Sequence, residues 1–382
     1  MFDVARSQGL TTRQEKFAYS IRKMGETVLA GAITTAGSTV FLLACQLTFF
    51  TAMGTLIILT VAFSQHAVSQ LRTRVGAFTD TKGMWLGTFH SICARMVRQH
   101  HELLDLPRGF SYRLLSQLGT PMDDGGTVPD KADGMGCFSL GNDEIVLIRN
   151  HELVPADDTG GVLAKGFGTR GGAIVPGGTT SIVLDATTLE VKREFRSLAG
   201  TIRNCSGGIT PWGSWLSCEE APTGPGQRFG EGLAENHGWV FEVPANATGL
   251  IDAVPLKAMG RFNHEAACVD PRTGIVYLSE DRDDSVLYRF VPTTPGRLGD
   301  GGLLQAMVVE GLSDTRNWTS AEMAVGSRHT VRWIDCDDVE SPNDDLRSRA
   351  AAKGAAVVAR GEGIHTGTDE IFVCSTNGGQ RK

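Results

Sequence analysis

The sequence predicts an all-β domain of short strands over residues 107–382, either a sandwich or a propeller, behind an apolar helical N-terminal segment. Three observations lead there. The 47 Gly imply many turns, and the 14 Pro lie beyond residue 105. Short β-like runs recur between Gly, Pro, Asn and Asp clusters at 144–149, 180–184, 214–218, 239–243, 274–278, 287–291, 329–334 and 370–374. At about 45 residues per blade the domain accommodates five or six blades, whereas a sandwich of this length would be unusually large. Only residues 346–359 read as a helix within it.

The chain has 382 residues and a net charge of -7, from 43 acidic and 36 basic residues. No global basic field points to nucleic acid. Its 8 Cys are scattered and form no Cys-x-x-Cys pair, which excludes a disulfide-stapled scaffold or a zinc finger.

Residues 1–26 are polar and charged, with neither an early apolar region nor a twin-arginine start, so no cleavable signal peptide is expected. Residues 27–71 contain no Asp, Glu, Lys or Arg, and residues 40–63 are long enough to cross a bilayer. A membrane is therefore an expected partner. Arg22, Lys23, Arg72 and Arg74 make both flanks basic, so charge does not choose an orientation. Residues 72–106 read as a helical connector.

Within the β domain, polar groups gather at strand ends: Asn150-His151-Glu152, Cys218-Glu219-Glu220, Asn263-His264-Glu265, Glu280-Asp281 and Arg360-Gly361-Glu362. Clustered carboxylates suit a hard cation such as calcium, and a thiolate with imidazoles suits iron or another transition metal. Asn204-Cys205-Ser206-Gly207-Gly208 is followed by Thr210-Pro211-Trp212-Gly213, a tight turn, and then by an alternating strand that ends in two acids. That unit makes Cys205 the cysteine to single out as a metal ligand.

These motifs, with Gly177-Gly178-Thr179-Thr180, His237-Gly238-Trp239 and Tyr288-Arg289-Phe290, resemble the PhoX-type alkaline phosphatases from about Phe110 to Gln380. The resemblance implies a six-bladed β-propeller, here incomplete at its C-terminal end, that hydrolyses phosphomonoesters at a mixed iron and calcium cluster. It makes Cys205 an iron ligand, Glu265 a metal ligand close to the chemistry, and Arg360 and Glu362 the Arg-x-Glu element. Arg360 is then expected to hold a phosphate oxygen. Glu152, Glu219, Glu220, Glu280 and Asp281 are expected among the remaining metal ligands. Adjacent metals would clamp the phosphate and activate the attacking oxygen. The family's placement is extracytoplasmic, and the apolar segment adds membrane attachment. The alternative reading is a non-catalytic, membrane-tethered propeller that binds calcium.

Two shorter resemblances precede the domain. Residues 18–65, with Lys23-Met24-Gly25-Glu26, are similar to the membrane helices of Patched/Dispatched-type transporters. Residues 84–107, with Thr88-Phe89-His90, resemble a helix of UvrD/Rep-type DNA helicases. The sequence contains no phosphate-binding Gly-x-x-x-x-Gly-Lys loop, so the second stretch is expected to be an amphipathic connector only.

Overall fold

The computed structural model describes residues 109–379. The chain divides into two units, Met1–Tyr112 and Arg113–Lys382, and the architecture described belongs to the second. The expected membrane span at 27–71 and the connector at 72–106 lie outside the described residues. Among the described residues no helix is long and apolar enough to cross a membrane.

Strands dominate, as predicted. The first sheet is an antiparallel meander of β1 (Ala132–Gly141) and β2 (Glu144–His151). It continues, after the small ladder of β3 (Thr169–Arg170) and β4 (Ala173–Ile174), into β5 (Gly177–Asp185) and β6 (Val191–Thr201). Asn142 and Asp143 both adopt left-handed backbone between β1 and β2, the two-residue turn that suits the twist of a hairpin. The second sheet is β7 (Asn204–Ile209), β8 (Ser214–Glu219) and β9 (Val240–Pro244). The third combines β10 (His264–Val269) and β11 (Val276–Glu280) with three more strands. These follow the short β12 (Ser285–Val286) and are β13 (Tyr288–Pro292), β14 (Gly302–Val309) and β15 (Val331–Asp335). Helix α1 (Leu346–Ala352) leads to β16 (Val357–Val358), which pairs with β12, and then to the hairpin β17 (Gly361–Thr366) and β18 (Ile371–Ser375).

The leading strands of these sheets stand side by side. β7 packs between β1 and β10, and β10 also lies against β17. The apolar core fills the spaces between successive sheets. Phe138, Ile148, Val183, Phe195, Trp215, Trp239 and Phe241 join the first sheet to the second. Leu216, Val240, Phe262, Leu278, Tyr288 and Phe290 join the second to the third. Each large side chain fully buried this way stabilises the fold by about 1.5–3 kcal/mol. Cys218 is a member of this core, which accounts for it as a small hydrophobe. Closure into a ring is not seen among the described residues.

The predicted helix is half correct. Residues Leu346–Ala352 are helical, but Gly354 takes a φ of 99° and the β-branched Val357–Val358 pair with β12 instead. Strands β1, β6, β7, β10, β14 and β17 were not among the predicted runs. Glycines in β1, β7, β14 and β17, or a charged exposed half as in Val191-Lys192-Arg193 of β6, blur the apolar alternation that marks a strand, and β10 opens on the polar pair His264-Glu265.

Candidate metal centre

The Thr-Pro-Trp-Gly turn forms as predicted. Gly213, with φ of 83°, donates its amide to Thr210, and Trp212 Nε1 and Ser214 Oγ both donate to Glu242. The turn returns β8 against β7, the strand that carries Cys205. Two missing side chains let β7 sit tightly between its neighbours. A Cβ on Gly134 of β1 would lie 2.7 Å from Ser206 Cα, and one on Gly208 would lie 2.0 Å from the Ala267 carbonyl oxygen of β10. Buried Asn150 fixes the backbone further, donating Nδ2 to the carbonyls of Cys205 (3.2 Å) and Ser206 (2.8 Å). Its Oδ1 accepts from Trp215 Nε1 and Ser217 Oγ.

Cys205 Sγ consequently meets Glu265 Oε1 of β10 at 3.3 Å, with the thiol donating. Glu220, immediately after β8, completes a group whose ligand atoms all lie within 4.8 Å of one another. Burial raises the pKa of all three groups. It pushes the Cys205 thiol far above its usual range, helped by Glu265, Asp133 and Glu220. Glu265 is pushed up to about 8 by burial and then by Glu220. Glu220 rises to about 7 by burial, although Arg203 and Asn263 pull it back. Asp133 rises to about 6, by burial and by the nearby Glu152. Burial and Asp281 also raise Glu362. Without cations, this concentration of acids retains protons.

Two arginines flank the group, both in left-handed backbone, with φ of 47° at Arg203 and 50° at Arg360. Such non-glycine conformations persist where surrounding bonds hold them. Arg203 donates its backbone amide to Leu153 O and accepts at its carbonyl from Glu220 N. Its guanidinium bonds Glu152 Oε1 at 2.9 and 3.1 Å, the Glu220 backbone carbonyl at 3.1 Å, and the Glu220 carboxylate. Burial opposes the charge on Arg203, but Glu220 and Glu152 outweigh it and hold the proton more firmly than usual. Arg360 pairs with Asp281 through both carboxylate oxygens, one contact being 2.6 Å, and lies 3.8 Å from Glu362. Its hydrogen bond to Asp281 raises it well above its ordinary value.

Cys205, Glu265 and Glu220 are thus brought together, with Glu152, Asp281, Glu362 and Arg360 around them. Glu219 and Glu280 are placed differently. Glu219 is fully buried, and its carboxylate accepts from Ile202 N, His237 Nδ1 (2.6 Å), Gly238 N and Trp239 N. Those bonds satisfy it within the fold. Glu280 is also fully buried, accepting from Tyr288 Oη at 3.2 Å and Arg347 at 3.5 Å. Alternation along the strand explains both, since Glu219 and Glu280 are the last residues of β8 and β11 and the next residue turns the opposite way.

Three neighbours escaped the sequence reading: Asp133, Arg203 and Asn263. Arg203 and Asn263 stand within two residues of Cys205 and Glu265, so sequence proximity was the available signal for them, whereas Asp133 is remote in sequence from both. Asn263 Nδ2 donates to Glu220 Oε1 (2.9 Å) and to the Asp281 carbonyl (3.0 Å), while its buried Oδ1 has no hydrogen-bond partner.

One sulfur with buried carboxylates is a donor set that can hold a metal ion, and the orphaned Asn263 oxygen belongs to a side chain bonded to Glu220.

Comparisons with known proteins bear on this arrangement. The UvrD/REP helicase N-terminal domain model matches residues 12–122. DNA helicase II of Escherichia coli is 40% identical over 55 residues, and that of Haemophilus influenzae 39% over 59. Each match covers 14% of this chain and only 8% of the helicase. Among solved structures, Pseudomonas fluorescens PhoX in complex with vanadate, a transition state analogue, matches with a TM-score of 0.49 and 18% identity. The match covers 69% of this chain and 64% of that one. The family model for alkaline phosphatase PhoX matches residues 93–382, which include the whole candidate centre. By that match over most of its length, the chain belongs to the PhoX alkaline phosphatase family.

Proposed function

We propose that the chain hydrolyses phosphomonoesters at an iron and calcium cluster held by Cys205, Glu220 and Glu265, with Glu152, Asp281 and Glu362 supplying further oxygens. The observation that carries this reading is the convergence of Cys205 of β7, Glu220 just after β8 and Glu265 of β10 within 4.8 Å. When bound, such metals neutralise charge on the phosphate oxygens and activate the attacking oxygen.

This chain's own residues have definable tasks. Cys205 and Glu265 must give up the proton they share before a cation can bind, so loading releases protons. Arg360, its plane fixed by Asp281, is the phosphate-binding donor. Arg203 fixes Glu152 and Glu220 relative to each other. The side-by-side leading strands support a propeller of the six-bladed type as the frame. The charge-free stretch 27–71 supports membrane attachment, testable by fractionation of the expressed chain.

The test is turnover of an aryl phosphate by the full chain loaded with iron and calcium, beside Cys205→Ala and Glu265→Gln. Both variants are expected to lose at least about a hundredfold in kcat/KM. Unchanged turnover in both would remove the assigned site.

A further inference from the structure

We infer that Asn263 is a metal ligand: its Oδ1 is a neutral oxygen donor for calcium, carried by a side chain bonded to Glu220. The inference rests on the metal-dependent reading above and extends it to a residue outside the acidic set.

Asn263 is 2% exposed, and its Oδ1 is a buried acceptor without a partner. Buried amide oxygens are almost always satisfied, and leaving one unmade is costly. Its orientation is fixed chemically. Nδ2 lies between two acceptors, Glu220 Oε1 and the Asp281 carbonyl, so turning the amide over would set oxygen against both. The unmet valence is therefore an oxygen, not an N–H group. It is also rigidly tied to Glu220, whose ligand atom lies within 4.8 Å of those of Cys205 and Glu265.

Charge decides which metal such an oxygen serves. Calcium accepts neutral amide carbonyls among its six to eight oxygens, whereas thiolate ligation selects softer transition metals. Glu152, Glu220, Glu265, Asp281 and Glu362 already make the surroundings strongly acidic. A neutral donor raises the ligand number there without adding repulsion.

The experiment uses the full chain, stripped of metal, with calcium binding read by calorimetry and iron content measured separately. Asn263→Leu removes both the oxygen ligand and the Nδ2 donor, and is expected to weaken calcium binding by about tenfold or more. Asn263→Asp keeps an oxygen ligand while losing the donor, and is expected to bind calcium at least as tightly as the native chain. Iron content should be unchanged in both. Equal loss in the Asp and Leu variants would show that Asn263 only orients Glu220, and would overturn the inference. Unchanged calcium binding in Asn263→Leu, or loss of iron in step with calcium, would overturn it as well. If the Leu variant fails to fold, Asn263→Asp decides alone. No calcium binding by the native chain would defeat the underlying reading together with this one.

Discussion

Glu219 and Glu220 are neighbours in sequence but belong to two different parts of the molecule. Glu219 is enclosed by three backbone amides and His237, a fold-bearing bond set with no vacancy. Glu220 shares its carboxylate between Arg203 and Asn263 and joins Cys205 and Glu265. The same division recurs in three other pairs. His151 is buried on Asp130 O and Thr180, while Glu152 reaches Arg203. His264 stacks on Phe262 and donates to Gly260 O, while Glu265 meets Cys205. Glu280 lies against Tyr288, while Asp281 holds Arg360. In each doublet the first member is bonded within the fold and the second joins the group of charged side chains around Cys205, because successive side chains of an extended chain point opposite ways.

Substitutions at the doublets test this division most severely. Glu219→Ala strands three buried amides and His237, and should destabilise the chain by about 3 kcal/mol or more, read by denaturant unfolding. Glu220→Gln should cost far less stability in the metal-free chain yet weaken metal binding by about tenfold to a hundredfold. If the two variants unfolded alike, the division would be wrong. A somewhat smaller effect is expected with pH. Glu265, Glu220 and Asp133 hold protons more tightly folded, at about 8, 7 and 6, than their ordinary 4.5, 4.5 and 3.8. Their contribution favours the folded state fully below about pH 4 and is lost as pH rises toward 8. The melting temperature in chelator should fall across that window, and added calcium should flatten the fall. A flat metal-free profile would show that these carboxyls titrate normally. The mildest change is Arg360→Lys, which keeps the charge but loses the paired contact with Asp281. It should raise KM for an aryl phosphate about tenfold and leave Glu219-dependent stability untouched.

Much of this was legible beforehand, and the limit has a physical origin. The Cys205 unit, the Thr-Pro-Trp-Gly turn and the acidic strand ends identify the centre, because turn chemistry and residue type are local properties. Which acid of a doublet faces the centre depends on strand register and on the element packed behind it. His237, 18 residues beyond Glu219, is what commits that carboxylate to the fold, and no local pattern announces the partnership. Asn263 was concealed for a similar reason, since an Asn before a His reads as a turn residue until its amide is seen between Glu220 and Asp281. β7 was not among the predicted runs because its strand character comes from neighbours on both sides.

The close seating of β7 has a consequence for how the centre can be altered. The distance between sulfur and carboxylate is gauged by two hydrogen atoms, those of Gly134 and Gly208, where other residues would carry a methyl group. These positions act as shims. Adding one carbon at Gly208 would wedge β7 from β10 and detune the bite between Cys205 and Glu265. The calibration of the donor set therefore resides in side chains that are not there.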